Sequence, residues 1–111
     1  MQVGQLEEAT DAFKRAIRVK PEDSETHNML GLASVKLDQL QDAIDAFKRA
    51  IGIKPDNAGA LYNLGATYVI LGETSSALEQ YKVLKDLDPE RADRLFDQIG
   101  SKIRRDSGVG K

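Results

Sequence analysis

The chain of 111 residues has no cysteine and no tryptophan, and it contains a single histidine. Without cysteine the protein has no disulfide, no thiolate metal site and no cysteine nucleophile, and such a composition fits a reducing compartment. The apolar runs are too short to span a bilayer, and the first residues do not show a basic segment followed by an apolar stretch. We therefore expect a soluble, cytoplasmic protein.

An excess of charge of one sign is also lacking. The 16 basic and 18 acidic residues are interspersed and give a formal net charge of −2, so no broad field favours nucleic acid or an anionic membrane. The basic residues Lys102, Arg104 and Arg105 stand near the end of a predicted helix, where they complement the helix dipole. No aromatic residue is interleaved with them to stack on bases. We expect neither nucleic acid nor a membrane as partner.

Residues that could perform chemistry are few and scattered. Carboxylates such as Glu7, Glu8, Asp42 and Asp45 lie along helical surfaces, without the histidines or oxygen-rich loops of a zinc or calcium site. The glycines of the C-terminal "GVG" have neither the preceding strand nor the following helix of a nucleotide loop. The sequence therefore predicts a protein that is not an enzyme and has no cofactor.

What the sequence does contain is an internal repeat. Pro21, Pro55 and Pro89 are spaced 34 residues apart, and "FKRAIRVKP" is followed one period later by "FKRAIGIKP". Aligning the copies places small, aromatic and small-to-medium residues at the same positions, separated by four and then three residues. This spacing predicts one face of an α-helix.

A second helical pattern lies between each proline and the next repeated helix. Leu30 and Gly31 recur one period later as Leu64 and Gly65. A glycine inside a helix costs about 1 kcal/mol relative to alanine, so its recurrence predicts that a neighbouring helix comes too close for a side chain. The repeated unit is a helix, a short turn and a second helix.

These residues resemble the tetratricopeptide repeat family, whose unit of about 34 residues is a pair of antiparallel helices. The resemblance covers residues 1–89 and rests on the Leu-Gly pairs, the Ala and aromatic slots, and the prolines at a fixed period. It implies an all-α fold, a right-handed solenoid of antiparallel helix pairs. The early tryptophan of the family is replaced by His27 and Leu61, in a slot that packs between helices, so we interpret His27 as a packing residue.

The pattern predicts six helices, over residues 5–19, 24–36, 40–53, 57–71, 74–87 and 89–104. Asp56 and Asp88 are predicted N-caps, because a short acceptor side chain satisfies free amide groups at a helix start. Pro89 suits the first helical position.

We predict one domain over residues 1–104, followed by a disordered tail over residues 105–111. The domain consists of a half repeat (1–21), two repeats (22–55 and 56–89) and a capping helix (89–104), or about two and a half family units plus the cap. By the period, "MQVGQL" corresponds to "VKLDQL", so the sequence begins inside a repeat. We expect either a piece of a longer array or an unpaired first helix.

A partner-binding surface is predicted from the resemblance, because the first helix of each family unit lines the concave side of the solenoid. The candidates are the residues of those helices that lie outside the packing stripe, together with one aromatic residue of the capping helix. They are Glu25, Asn28, Leu32, Val35, Lys36, Tyr62, Asn63, Ala66, Val69, Ile70 and Phe96.

The predicted function is a non-catalytic interaction scaffold that binds a peptide or helix in this groove. Two alternatives stay open: a self-assembly module that forms a homo-oligomer through its N-terminal edge, and a docking arm of a larger enzyme or secretion component. Some relatives grip the carboxylate of an acidic chaperone tail with basic side chains. Here Glu25, Asp93 and Asp97 stand where basic groups would be needed, although Asn63 matches, so we expect no tight binding of such tails.

Overall fold

The structure is a computed structural model that describes residues 2–108, and over this range the chain forms six α-helices and no strand. The all-α prediction is therefore confirmed. The helices are α1 (Val3–Val19), α2 (Ser24–Lys36), α3 (Leu40–Ile53), α4 (Ala58–Ile70), α5 (Thr74–Leu87) and α6 (Pro89–Ser107).

The helix ends follow from local chemistry. Asp88 caps α6 by accepting from the Arg91 amide at 3.2 Å, and Pro89 occupies the first turn, as predicted. The predicted cap at Asp56 is wrong: the Asn57 Oδ1 accepts from the Ala60 amide at 3.0 Å. Both side chains are suitable acceptors, and the turn geometry selects the residue directly before the helix.

The turns inside the helix pairs repeat with the same period as the sequence. Asp38, between α2 and α3, and Gly72, between α4 and α5, both adopt a positive φ, of 59° and 76°. In each turn the amide of the following residue returns to a carbonyl of the preceding helix, Gln39 to Ser34 at 2.8 Å and Glu73 to Tyr68 at 2.9 Å. This closure satisfies carbonyls at the helix end and reverses the chain within three residues.

The chain divides into two compact units, Met1–Ala60 and Leu61–Lys111. In the first unit α2 packs against both α1 and α3. The side chain of Phe47, on α3, is fully buried, and its ring lies where a Cβ on Gly31 of α2 would come within 2.3 Å. The close approach predicted from the recurring glycine is confirmed here. The Ser24 hydroxyl donates to the Ala50 carbonyl at 2.7 Å and ties the start of α2 to α3.

In the second unit α5 packs against α6, and α6 also lies against α4. Leu95 of α6 is fully buried, and its methyl carbon lies where a Cβ on Gly65 would come within 2.6 Å. Gly65, one period after Gly31, therefore also allows a side chain of a neighbouring helix to come close, and here that side chain is Leu95 of α6.

Helix α6 continues through Ser107, and Gly108 ends it in the left-handed conformation, with φ of 76°. Part of the predicted tail, residues 105–107, is thus helical, and residues 109–111 lie outside the described range. The single-domain interpretation stays a prediction.

Candidate functional site

The predicted partner-binding residues fall on three helices in the two units. Five lie on α2, in Met1–Ala60, and six lie on α4 and α6, in Leu61–Lys111. Each group has its own surroundings, so we describe the two in turn.

On α2 the predicted residues serve different purposes. Asn28 is buried, and its Nδ2 donates to the Glu25 Oε1 at 2.8 Å. Val35 is half-buried. Leu32 and Lys36 line a small cleft of about 120 Å³ against α1. We call this the α1/α2 cleft, and its lining residues are Leu6, Ala9, Phe13, Met29, Leu32, Ala33 and Lys36.

On α4 three predicted residues are brought together in one surface. Ala66, Val69 and Ile70 line a cleft of about 360 Å³ whose other wall is α6. We call this the α4/α6 cleft; the α6 wall consists of Asp97, Gln98, Ser101 and Arg105. The side chain of Ile70 is 55% exposed, whereas Val69 is buried. An apolar wall facing a polar one suits a ligand that presents apolar side chains flanked by polar groups.

Tyr62 and Gln98 join the two walls of this cleft. The Gln98 Nε2 donates to the Tyr62 hydroxyl, across from α6 to α4. Together with the contact of Leu95 at Gly65, this bond fixes the spacing of the two helices. Tyr62 is half-buried beside the cleft, and the neighbouring Asn63 is half-buried as well.

Phe96 has a different setting. Its ring is 53% exposed and packs on the ring of Tyr81 of α5, with centroids 5.2 Å apart at 43°. It is not among the residues that line the α4/α6 cleft. Tyr81 is half-buried, and this ring contact contributes to the packing of α5 and α6.

Four lining residues were not among the predicted site residues: Asp97, Gln98, Ser101 and Arg105. Three of them recur every fourth residue along α6, which is a signal for one helical face. The sequence does not say which neighbour that face meets, so the pattern alone could not assign it to a cleft. Asp97 and Arg105 are eight residues apart, which corresponds to about 12 Å along a helix. They therefore place opposite charges at the two ends of the α6 wall.

Polar groups elsewhere have local explanations. His27 is buried, and its Nε2 donates to the Pro21 carbonyl at 2.9 Å, which confirms the interpretation of this side chain as a packing residue. It lines a mixed-charge cleft of about 410 Å³ together with residues such as Lys14, Asp42 and Arg49. Among the described residues, every buried side-chain nitrogen or oxygen has a hydrogen-bond partner, so no polar ligand is required there.

Within residues 2–108, no group of three histidines or carboxylates is arranged to hold a metal ion. None of the helices described in that range is long and apolar enough to cross a bilayer.

Comparison with protein-family models gives two matches in the repeated part of the chain. A model described as "TPR repeat" matches residues 33–72, and one described as "Tetratricopeptide repeat" matches residues 58–91. Together the matches extend over residues 33–91, more than half of the chain. No curated protein matches the sequence significantly.

Several solved structures have similar folds. One is the TPR2B domain of yeast Sti1, described as a complex with pHsp70. Its TM-score is 0.82 at 22% sequence identity, and the match covers 89% of this chain and 86% of that one. Another is the first TPR of Spaghetti (RPAP3), bound to the HSP90 peptide SRMEEVD. Its TM-score is 0.83 at 19% sequence identity, and the match covers 90% of this chain and 81% of that one. A third is YrrB, described as a TPR protein with an unusual peptide-binding site. Its TM-score is 0.79 at 28% sequence identity, and the match covers 94% of this chain and 53% of that one. The first two similarities, below 25% identity, concern the fold alone.

Proposed function

Because the chain belongs to the tetratricopeptide repeat family, whose members are generally non-catalytic interaction scaffolds, we propose that it binds a peptide or helix segment of a partner protein in the α4/α6 cleft. The observation that carries this proposal is the arrangement of Ala66, Val69 and Ile70 opposite a polar wall. Two proteins of similar fold add support: the first TPR of Spaghetti (RPAP3) is bound to an HSP90 peptide, and YrrB is described as having an unusual peptide-binding site.

The chemistry of the cleft indicates the kind of segment that fits. The apolar wall buries one or two aliphatic or aromatic side chains, which is the main source of affinity in such grooves. The opposite charges of Asp97 and Arg105 favour a segment with a basic residue at one end and an acidic residue at the other. The predicted residues of α2, in the other unit, remain candidates for further contacts.

The proposal is tested by selecting peptides from a random displayed library on the immobilised protein and titrating the best binder by calorimetry. Ile70→Asp places a charge in the cleft and is expected to lower the affinity at least about tenfold. Ala66→Arg places a long side chain in the same cleft and should also lower the affinity for the peptide. The matched control is Val83→Asp, which changes an aliphatic residue on α5 that is 45% exposed and lies outside the cleft.

An equal loss for Val83→Asp, or none for Ile70→Asp, would place the binding elsewhere, and a library without any binder would contradict the proposal as a whole. The peptide SRMEEVD serves as a negative ligand. Because this peptide carries three acidic side chains and a C-terminal carboxylate, whereas Arg105 is the one basic residue among the described residues that line the α4/α6 cleft and shares it with Asp97, we expect no binding in the micromolar range, and a micromolar affinity for it would overturn this specificity.

A further inference from the structure

We propose, in a step that rests on the proposed function, that the α4/α6 cleft takes an extended segment in which a basic, an apolar and an acidic residue stand at every second position. The basic residue pairs with Asp97, the apolar residue lies against Ile70, and the acidic residue pairs with Arg105. The residues between them face away from the cleft. All the protein residues concerned lie within Leu61–Lys111.

The two charges at the ends of the α6 wall are available to a ligand. Asp97 and Arg105 are both exposed, and within residues 2–108 neither takes part in an ion pair. The nearby ion pair between Lys102 and Asp106, at 3.4 Å, uses charges that do not line the cleft. A ligand that carries the opposite charges at matching positions is therefore complementary to this wall.

The separation of these charges favours an extended ligand. Eight residues of α6 correspond to about 12 Å, and a strand covers this distance in about four residues, with positions i, i+2 and i+4 on one face. A helix needs about eight residues for the same distance and a row of apolar anchors along it. The apolar wall from Ala66 to Ile70 extends only about 6 Å, and Ile70 is its exposed side chain. It therefore accommodates one apolar anchor.

The size of the cleft leads to the same conclusion. Its volume of about 360 Å³, divided by a length of about 12 Å, corresponds to a cross-section of about 30 Å². A strand has a cross-section of about 50 Å², from spacings of about 5 and 10 Å to its neighbours, so more than half of its width fits into the cleft. A helix with a diameter of about 10 Å has a cross-section of about 80 Å² and would lie mostly outside.

The middle of the α6 wall offers polar groups that suit the main chain of an extended segment. The Gln98 Nε2 donates to the Tyr62 hydroxyl, and within residues 2–108 nothing donates to the Gln98 Oε1. The Ser101 hydroxyl accepts from the Arg104 Nη2 at 3.2 Å, and in the same range it donates to no other group. An extended segment has free amides and carbonyls to pair with this acceptor and this donor, whereas a helix has already paired its own.

The test compares three labelled peptides by fluorescence anisotropy with the full chain. The first has nine residues, with lysine, leucine and glutamate at its third, fifth and seventh positions, serine elsewhere, and acetylated and amidated ends. The second has the same composition, with lysine and glutamate next to each other. The third is alanine-rich and helical, with lysine and glutamate eight residues apart and leucine between them. We expect saturable binding of the first and at least about fivefold weaker binding of the others, because each loses a charge contact or the fit to the cleft.

An exchange of charges between protein and peptide identifies the contact. Arg105→Glu should weaken the first peptide about fivefold, and a peptide with lysine in place of its glutamate should regain the affinity for this variant. A merely structural effect of the substitution would not be rescued in this way. The matched control is Lys82→Glu, which makes the same change in net charge at an exposed position of α5 outside the cleft. It should affect neither peptide by more than about twofold.

Three results would overturn this proposal and leave the proposed function intact, provided that Ile70→Asp still weakens peptides selected from the library. They are no binding of the first peptide, binding of the second or third that is as tight as that of the first, and no rescue of Arg105→Glu. If neither designed nor selected peptides bind, or if Ile70→Asp has no effect on any of them, the proposed function itself is wrong.

Discussion

At the scale of single residues, glycines show how the same residue meets different environments. Gly31 and Gly65 recur with the period and lie against Phe47 and Leu95, so a side chain at either position has no space. Gly52, inside α3, has no atom within 4 Å of the position a Cβ would take. The recurrence predicted the close approaches, but the identity of the residues that fill them came from the packing.

This contrast predicts opposite effects of the same substitution. Gly52→Ala should stabilise the protein by about 1 kcal/mol, because alanine is the better helix former and meets no neighbour. Gly31→Ala should destabilise it by about 1–2 kcal/mol, since the cost of overpacking against the buried Phe47 ring exceeds that gain. Urea unfolding followed by circular dichroism measures both; a stabilised Gly31→Ala variant would show that the ring moves freely.

At the scale of the helix, the start of α6 depends on a charged cap. The side chain of Arg91 donates to the Asp88 carboxylate at 2.6 Å, and the Arg91 amide donates to it as well. These hydrogen bonds hold the pKa of Asp88 below its ordinary value of 3.8. At the start of α2, the Thr26 amide lowers the pKa of Asp23 in the same way.

The lowered pKa values predict how stability depends on pH. Because the folded state holds the Asp88 proton less tightly than the unfolded state, this contribution is fully present above the unfolded value of 3.8 and is lost as the pH falls through the folded value. Asp88→Ala should therefore lower the Tm at neutral pH, and the difference from wild type should shrink below that value.

The Asp88→Asn variant is the control for this effect. Asparagine keeps an acceptor for the Arg91 amide but carries no charge, so its cap does not titrate. Thermal unfolding of the three proteins over a series of pH values gives the comparison. A difference between wild type and Asp88→Ala that is constant down to the lowest pH would exclude a titrating cap.

At the scale of the whole molecule, the proposed binding surface has to be accessible in the free protein. The α4/α6 cleft has a polar wall that consists of Asp97, Gln98, Ser101 and Arg105. Homodimer interfaces are usually more apolar than this, so the cleft is a poor surface for a second copy.

We therefore expect light scattering to give the mass of one chain, independent of protein concentration over a wide range. If the mass increases with concentration, Ile70→Asp shows whether the α4/α6 cleft is responsible. A dimer that Ile70→Asp dissociates would mean that another copy fills the proposed peptide site.

The candidate site was predicted in part. Ala66, Val69 and Ile70 were expected on one surface and line one cleft, because they share a face of α4. The opposite wall on α6 was not predicted, since helical spacing defines a face without specifying its neighbour. Phe96 was expected beside these residues, and its ring packs on Tyr81 of α5.

The sequence by itself determined the helices, their turns and the repeated unit, because helical spacing, prolines and glycines act locally and recur with a fixed period. The tertiary structure alone decided which side chain fills the space at each recurring glycine. The Phe47 ring of α3 lies against Gly31, whereas Leu95 of α6 lies against Gly65. The physical reason is that helical spacing defines a face but does not specify the helix that packs on it.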